Sequence, residues 1–440
     1  MKALPEIGDE VRAVDTKLNY KIKEALGDGA QGKVYQIEYL GKKMALKWYK
    51  ANKATSKQKE IIEHLIETGS PCEKFLWPKD LVISKQINGF GYIMPLRDPN
   101  YKSIADLVAR KVDTNYKVLS TVGYHLANSY RELHSRGYCY RDINFDNIFF
   151  APETGDIRIC DNDNVGINNQ SEASVLGTQR FMAPEIVRGE KTPNTSSDIF
   201  SLAVLLFYIF MNNHPLHGKK ESQIRCFDLP AMRQIYGEEP VFIFDPDDDS
   251  NRPQPKEHQN ALLSWPIYPE FLRQLFIQTF TEGLNNINKR VREVQWRSAM
   301  LRLKDSIFYC QNCGRENFYD LKQVEAKKSL KCWNCNTKLA LPYRIKLEDN
   351  NKDIIMLNYN TKLYPYHINN NKKWLVEYPI AKVTQHPNKP SIWGLKNLGE
   401  SVWNVTNSKG STKKVPPEKS VVLAKGVKIE FSDSKKAIIY

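Results

Sequence analysis

The stretch YRDINFDNIFF, residues 140–150, decides how the rest of the chain is read. Asp142 is followed five residues later by Asn147 and then by an apolar run of strand character. Ahead of it, HLANSYRELHSRGYCYRD (125–142) reads as a helix running into a loop. Behind it, Asp161 ends a second apolar strand in IRICDNDNVG (157–166). Phosphoryl transfer asks a protein mostly for positioning and charge neutralisation: a carboxylate to orient a hydroxyl, and oxygen ligands to hold cations. Asp142 fits the first need, and Asn147 with Asp161 the second.

Upstream, KIKEALGDGAQGKVYQIEYLGKKMALKWYK (21–50) sets Gly27, Gly29 and Gly32 in a G-x-G-x-x-G arrangement. A dinucleotide-binding fold would place such glycines between a strand and a helix. Here the alternating runs KVYQIEYL and KKMALKWY follow, so a β-hairpin is predicted. A glycine loop between strands lets the backbone approach a nucleotide's phosphates. Lys47 lies on the second of these strands and, together with Val34 and Ala45, resembles the protein kinase signature. That resemblance implies a site for ATP lined by Gly27, Gly29, Gly32, Val34 and Ala45, with Lys47 gripping the α- and β-phosphates. It also implies a glutamate on the next helix that holds Lys47. The helical pattern SKQKEIIEHLIETG (56–69) offers Glu63, which fits best by its distance to the following strand, and Glu60 as a rival. GFGYIMPLRD (89–98) resembles the hinge between two lobes, with Met94, Pro95 and Arg97 at the adenine.

The resemblance continues downstream. It implies Asp142 as the base and Asn147 and Asp161 as ligands of Mg2+ (or Mn2+). GTQRFMAPEIV (177–187) matches the family's G-T-x-x-[YF]-M-A-P-E segment, which implies an ion pair between Glu185 and Arg290. SSDIFSLAVLLF (196–207) resembles the buried helix whose Asp198 ties down the catalytic loop, and His134 is read as structural. These features point to a protein acceptor, and Thr178 to serine or threonine. Three positions depart from the family: Tyr140 replaces a histidine, Asp161-Asn162-Asp163 replaces D-F-G, and Asn144 replaces a lysine that touches the γ-phosphate. Arg180 is a candidate to supply the missing charge. Because Lys47, Asp142, Asn147 and Asp161 all remain, an active kinase is expected, with an ATP-binding scaffold as the alternative. Ser171, Ser174 and Thr178 are candidate autophosphorylation sites, with Arg141 as the phosphate's partner. An insertion over 212–265 carries the acidic run Asp245–Asp249, read as a cation or basic-partner site or, more simply, a solvated loop.

The remaining third has a different character. CQNC (310–313) and CWNC (332–335) are two C-x-x-C pairs at the spacing of a structural zinc site formed by Cys310, Cys313, Cys332 and Cys335. From 345 to 440, short apolar runs such as SIWGLKNL (391–398) and SVVLAKGVKIEF (420–431) alternate with turns, and no segment shows helical periodicity. A small partner-binding β-sandwich is predicted. The net charge of +14 is concentrated here: from Ser306 onward 23 Lys and Arg stand against 11 Asp and Glu. Nucleic acid is a possible partner but not the favoured one, because the lysines are dispersed. The longest apolar run, 202–211, is shorter than the roughly 20 residues of a membrane span. The N-terminus lacks the apolar core of a signal peptide, so a cytoplasmic protein is expected.

The predicted fold class is α+β: a two-lobed protein kinase fold with a β-rich N-lobe and an α-helical C-lobe, then a zinc ribbon and a small all-β domain. The kinase-like domain is placed at 1–305 (N-lobe about 17–94, C-lobe about 98–305), the ribbon at 306–344 and the β domain at 345–440. The arrangement also resembles bacterial Ser/Thr kinases associated with a von Willebrand-domain protein and a PP2C-type phosphatase.

Overall fold

The computed structural model describes residues 2–169, 176–326, 329–348, 354–368, 376–432 and 435–440. The chain divides into two compact units, Met1–Trp265 with Gln274–Ser298, and Pro266–Arg273 with Ala299–Tyr440.

In the first unit, alternating side chains build six strands: β1 (Glu10–Ala13), β2 (Asn19–Asp28), β3 (Gly32–Tyr39), β4 (Lys42–Tyr49), β5 (Asp80–Ile83) and β6 (Gly91–Met94). They close into a barrel in the order β1-β2-β3-β4-β6-β5. Ile22, Ile37, Leu46, Trp48, Val82 and Ile93 fill its core. β1 closes the barrel by pairing antiparallel with both β2 and β5, so the sheet starts upstream of the expected residue 17. The buried Asp80 carboxylate fixes the turn after β1, accepting from the backbone N–H groups of Val14 (3.1 Å), Asp15 (2.9 Å) and Thr16 (3.0 Å). Helix α1 (Ser56–Thr68) follows β4; the Thr55 hydroxyl caps it by accepting from the Gln58 N–H.

The rest of this unit is mainly helical. The apolar run 202–211 lies inside the helix Thr195–Met211, which is buried along most of its length and opens on an Asn194/Ser197 capping box. It is a core helix, and no helix among the described residues is long and apolar enough to cross a membrane. Glu185 and Arg290, both buried, form a two-pronged ion pair at 2.8 and 2.7 Å. The insertion is packed rather than loose: Phe242 and Ile243 are fully buried, and Phe244 stacks on Trp265 with centroids 4.2 Å apart. In the acidic run, Asp245 accepts from the backbone N–H groups of Asp247 and Asp248, so these carboxylates shape a turn.

The second unit holds a six-stranded and a four-stranded antiparallel sheet. Both contribute to one core, with Ile345, Val405, Ile429 and Ile439 from the larger sheet and Leu363, Ala381, Leu395 and Val421 from the smaller. One helical turn, Pro365–Ile368, interrupts the strands where no helical period was visible. Residues 306–344 and 345–440 fall in this same unit.

Candidate active site

Strand register brings the nucleotide-side residues together. β4 pairs with β3 so that Lys47 opposes Val34, and with β6 so that Ala45 opposes Met94 and Lys47 opposes Tyr92. Alternation sends Met44, Leu46 and Trp48 into the barrel core. Ala45, Lys47 and Tyr49 therefore share the other face. Gly32 is required by packing, since a Cβ there would lie 2.4 Å from the Trp48 carbonyl oxygen. A Cβ at Gly27 would meet nothing within 4 Å, and at Gly29 only the Gly32 carbonyl at 3.6 Å. Open space at these two positions fits a backbone kept bare for a ligand rather than for its own packing. After Met94 and Pro95, Arg97 turns back: its guanidinium donates to the Tyr101 carbonyl (2.8 Å) and lies 3.9 Å over the Phe149 ring.

Lys47 is buried and surrounded by acceptors. Its Nζ lies 2.9 Å from the Asp163 carboxylate, 3.3 Å from Asp161 Oδ1 and 3.2 Å from Gln31 Oε1. Burial alone would lower the lysine's pKa, but the facing Asp163 and Asp161 carboxylates outweigh that and raise it. Burial, opposed by Lys47 and reinforced by Asp163, raises the Asp161 carboxyl. Asp161 itself sits in the left-handed region at φ 50°, which aspartate tolerates better than most residues. Gln31, at the tip of the glycine loop, also donates to Asn164 Oδ1 at 2.9 Å.

The catalytic-loop residues converge as a hydrogen-bonded set. Asp142 Oδ1 accepts from the Thr178 hydroxyl (2.8 Å) and the Thr178 N–H (2.9 Å). Asn147 Nδ2 donates to the Asp142 carbonyl (3.0 Å) and to its Oδ2 (3.2 Å), so the side-chain Oδ1 is the atom of this amide that could accept a cation. Asn144 donates to the Asp142 carbonyl and Thr178 hydroxyl, and accepts from the Asp146 and Asn147 N–H groups. The loop is tied from below by Asp198, whose carboxylate accepts from the N–H groups of Tyr140 and Arg141. His134 bridges Asp198 and Glu293. Burial would lower this imidazole, but its two hydrogen bonds to carboxylates push it up to about 9. Tyr140, at the family's histidine position, donates its hydroxyl to the Cys160 carbonyl.

The sequence profile described as protein kinase domain matches residues 20–265, more than half of the chain. The chain belongs to the protein kinase family. It is 22% identical over 353 residues to the probable serine/threonine-protein kinase MARK-C of Dictyostelium discoideum, covering 71% of this chain and 43% of that one. It is 24% identical over 240 residues to the serine/threonine-protein kinase shk2 of Schizosaccharomyces pombe, covering 52% and 39%. It is 30% identical over 130 residues to the mitogen-activated protein kinase kinase kinase mom-4 of Caenorhabditis elegans, covering 29% and 24%. The chain spans less than half the length of each of these relatives.

Within this protein kinase domain, one expected contact is replaced. Glu63 is 51% exposed and pairs with Lys59 at 3.7 Å, and Glu60 is exposed as well. The expectation that Glu63 holds Lys47 is therefore corrected: Glu63 lies on the solvent side of α1, and the lysine's carboxylates come from 161 and 163. Asp163, Tyr49, Tyr92 and Gln31 were missed by sequence reasoning. The available signals were the second acid two residues after Asp161 and a tyrosine two residues after Lys47, hence on its face. Among the candidate phosphate acceptors Thr178 is exposed, while Ser171 and Ser174 lie outside the described residues. The oxygen donors of Asp161 and Asn147 suit a hard cation such as Mg2+.

The four cysteines form a second candidate site. Cys310 and Cys332 open matching turns: each N–H donates to the carbonyl five residues on, and each carbonyl accepts from the residue four on. That fourth residue, Gly314 or Asn336, has φ 70° or 57°. All four sulfurs lie within 4.8 Å of one another, with the Cys310–Cys335 and Cys313–Cys332 pairs at 3.6 Å. Thiolates about 2.3 Å from a tetrahedral zinc would stand roughly 3.8 Å apart, so the set fits that ion. Hydrogen bonds from Thr337 bring the Cys335 thiol down to about 6.

Proposed function

We propose that the chain is an ATP-dependent serine/threonine protein kinase. The observation that carries this reading is the Asp142 carboxylate, which already accepts a hydrogen bond from a threonine hydroxyl at 2.8 Å. A general base must lie within hydrogen-bond reach of the proton it takes. An acceptor serine or threonine replacing Thr178 at this oxygen would be held and stripped of its proton in the same geometry. Lys47 would orient the α- and β-phosphates, and Asn147 and Asp161 would hold the metal. Mg-ATP, when bound, supplies the γ-phosphoryl group and neutralises the charge on it. Asn144 spends its side chain within the loop, so the charge a lysine would bring must come from elsewhere, and Arg180, whose charge acts on Asp146 of the same loop, is the candidate.

The names of MARK-C and shk2 support serine and threonine as acceptors. Autophosphorylation within 171–178, a cytoplasmic place in a bacterial signalling or stress-response system, and a von Willebrand-domain protein and PP2C-type phosphatase as partners belong to the same proposal. So do a structural zinc at the four cysteines and a β-sandwich that binds a partner. The test is label transfer from γ-labelled ATP with magnesium, comparing the unaltered chain with Asp142→Ala and Asp161→Ala. Label on serine or threonine, lost in both variants, supports the kinase. Nucleotide binding without transfer in any of the three makes the chain a scaffold instead.

A further inference from the structure

We propose that Asp163 is the positioning residue for Lys47, standing in for a glutamate of the helix α1. The inference rests on the kinase reading and deepens it. Asp163 occupies a position where the family has glycine, and it looks at first like damage to the metal-binding segment. Its surroundings say otherwise. The side chain is fully enclosed, against 44% exposure for Asp161. It faces the lysine at 2.9 Å, accepts from the Tyr49 hydroxyl at 2.6 Å and accepts from the Tyr92 hydroxyl at 3.2 Å. A buried carboxylate is tolerated only where a cation and hydrogen-bond donors answer it, and here one cation and two phenols do so.

The strands supply this pocket as a set. Tyr49 follows Lys47 by two residues on β4, and Tyr92 is the residue of β6 that opposes Lys47. All three side chains therefore stand on one face of the sheet, aimed at one carboxylate. Helix α1 contributes a neutral amide: Gln58 Nε2 donates to the Tyr49 hydroxyl at 3.1 Å. The charge that fixes Lys47 thus belongs to the same four-residue segment as the metal ligand Asp161. When Asp161 turns to a metal, Asp163 keeps the lysine in place. A shift of α1, which would break a lysine–glutamate pair between strand and helix, leaves this pair intact.

The test uses the full chain and two independent readouts. In the first, Lys47 is acetylated with acetic anhydride, without nucleotide, and its labelling rate followed by mass spectrometry. Asp163→Asn is expected to raise that rate about tenfold, more than Asp161→Asn does, and Tyr49→Phe to raise it by a smaller step. In the second, transfer from γ-labelled ATP is expected to show kcat and kcat/KM of Asp163→Asn falling together by about 100-fold, the cost of misplacing a phosphate ligand by about 1 Å. Asp163→Glu is expected to recover part of both. Labelling of Lys47 that ignores Asp163→Asn and Tyr49→Phe but responds to Glu63→Gln overturns the inference. The labelling does not depend on turnover, so a chain that transfers no phosphate sinks the kinase reading while the lysine's partner is still decided. Should Asp163→Asn fail to fold, Tyr49→Phe carries the same decision.

Discussion

Asn144 has only one short amide, and the catalytic loop uses both ends of it. Its oxygen serves the N–H groups of Asp146 and Asn147, and its nitrogen reaches the Asp142 carbonyl and the Thr178 hydroxyl. The residue is 4% exposed, so water cannot replace these bonds. Asn144→Ala should therefore destabilise the chain by ~2 kcal/mol, the cost of leaving buried donors unanswered. Urea unfolding of the two forms measures this, and an unchanged midpoint would show that the loop does not lean on Asn144. Asp142 and Asn147 could be picked out together because they lie within six residues, but the part Asn144 plays between them could not, since the sequence shows there only the lysine that is missing. The partner of Lys47 is a choice made across the fold. Glu63 was selected by distance along the chain, but α1 buries Ile62 and Leu65 and so turns Glu63 outward. No spacing rule within 56–69 reveals that a carboxylate from residue 163 has taken the place.

At the scale of elements, His134 joins three of them: its own helix Tyr116–Ser135, the helix Thr195–Met211 through Asp198, and the helix Glu293–Asp305 through Glu293. Its folded pKa of about 9 stands above the ordinary 6.5. The charged form is thus bound more tightly by the folded state. That stabilisation is complete below about pH 6.5 and fades as the pH rises through about 9. The expected size is ~3 kcal/mol, since each pKa unit is worth about 1.4 kcal/mol. Thermal unfolding of the unaltered chain and His134→Gln should show a wide gap at pH 6 that narrows by pH 9.5; a gap independent of pH would remove the charge from the argument. Asp198 also receives the catalytic loop's N–H groups, so the same bridge steadies Asp142. The Glu185–Arg290 pair makes a parallel case. Arg290→Met strands a buried carboxylate and should cost about 3–5 kcal/mol, whereas replacing both partners by apolar residues should cost less; equal losses would mean that packing rather than charge is at stake. Among the strands, β3 and β4 were legible from alternation. β1 was not, because EVRA is four residues long and half of it is charged. It becomes a strand only because β2 and β5 both offer it an edge.

Across the whole molecule, each of the two units has its own core, and each core was visible to a different degree. Motifs with fixed spacing marked the first unit. In the second, apolar alternation announced strands but neither their order nor the short helices Leu321–Glu325 and Pro365–Ile368, which are too short to show a period of 3.6. The cysteines were legible because metal ligation demands close spacing. Their surroundings explain what they do for the unit. Phe308, two residues before Cys310, and Leu330, two before Cys332, meet in a small cluster with Tyr319, Met356, Leu339 and Leu341. Each turn is closed by its own backbone hydrogen bonds, and a metal at the four sulfurs would tie the two turns to each other. A metal bound there adds its binding energy to folding, and because thiolates are the ligands, acid weakens the site. Cys335, already down at about 6 through Thr337, would be among the first to bind. Calorimetry of the full chain should therefore show a transition that moves down by several degrees on adding a chelator, and further at pH 5.5, while label transfer at low temperature persists. Metal analysis should find about one zinc per chain, lost in Cys332→Ser. A chain that unfolds identically with and without chelator, and carries no metal, would leave the four sulfurs as reduced thiols gathered by their two turns alone.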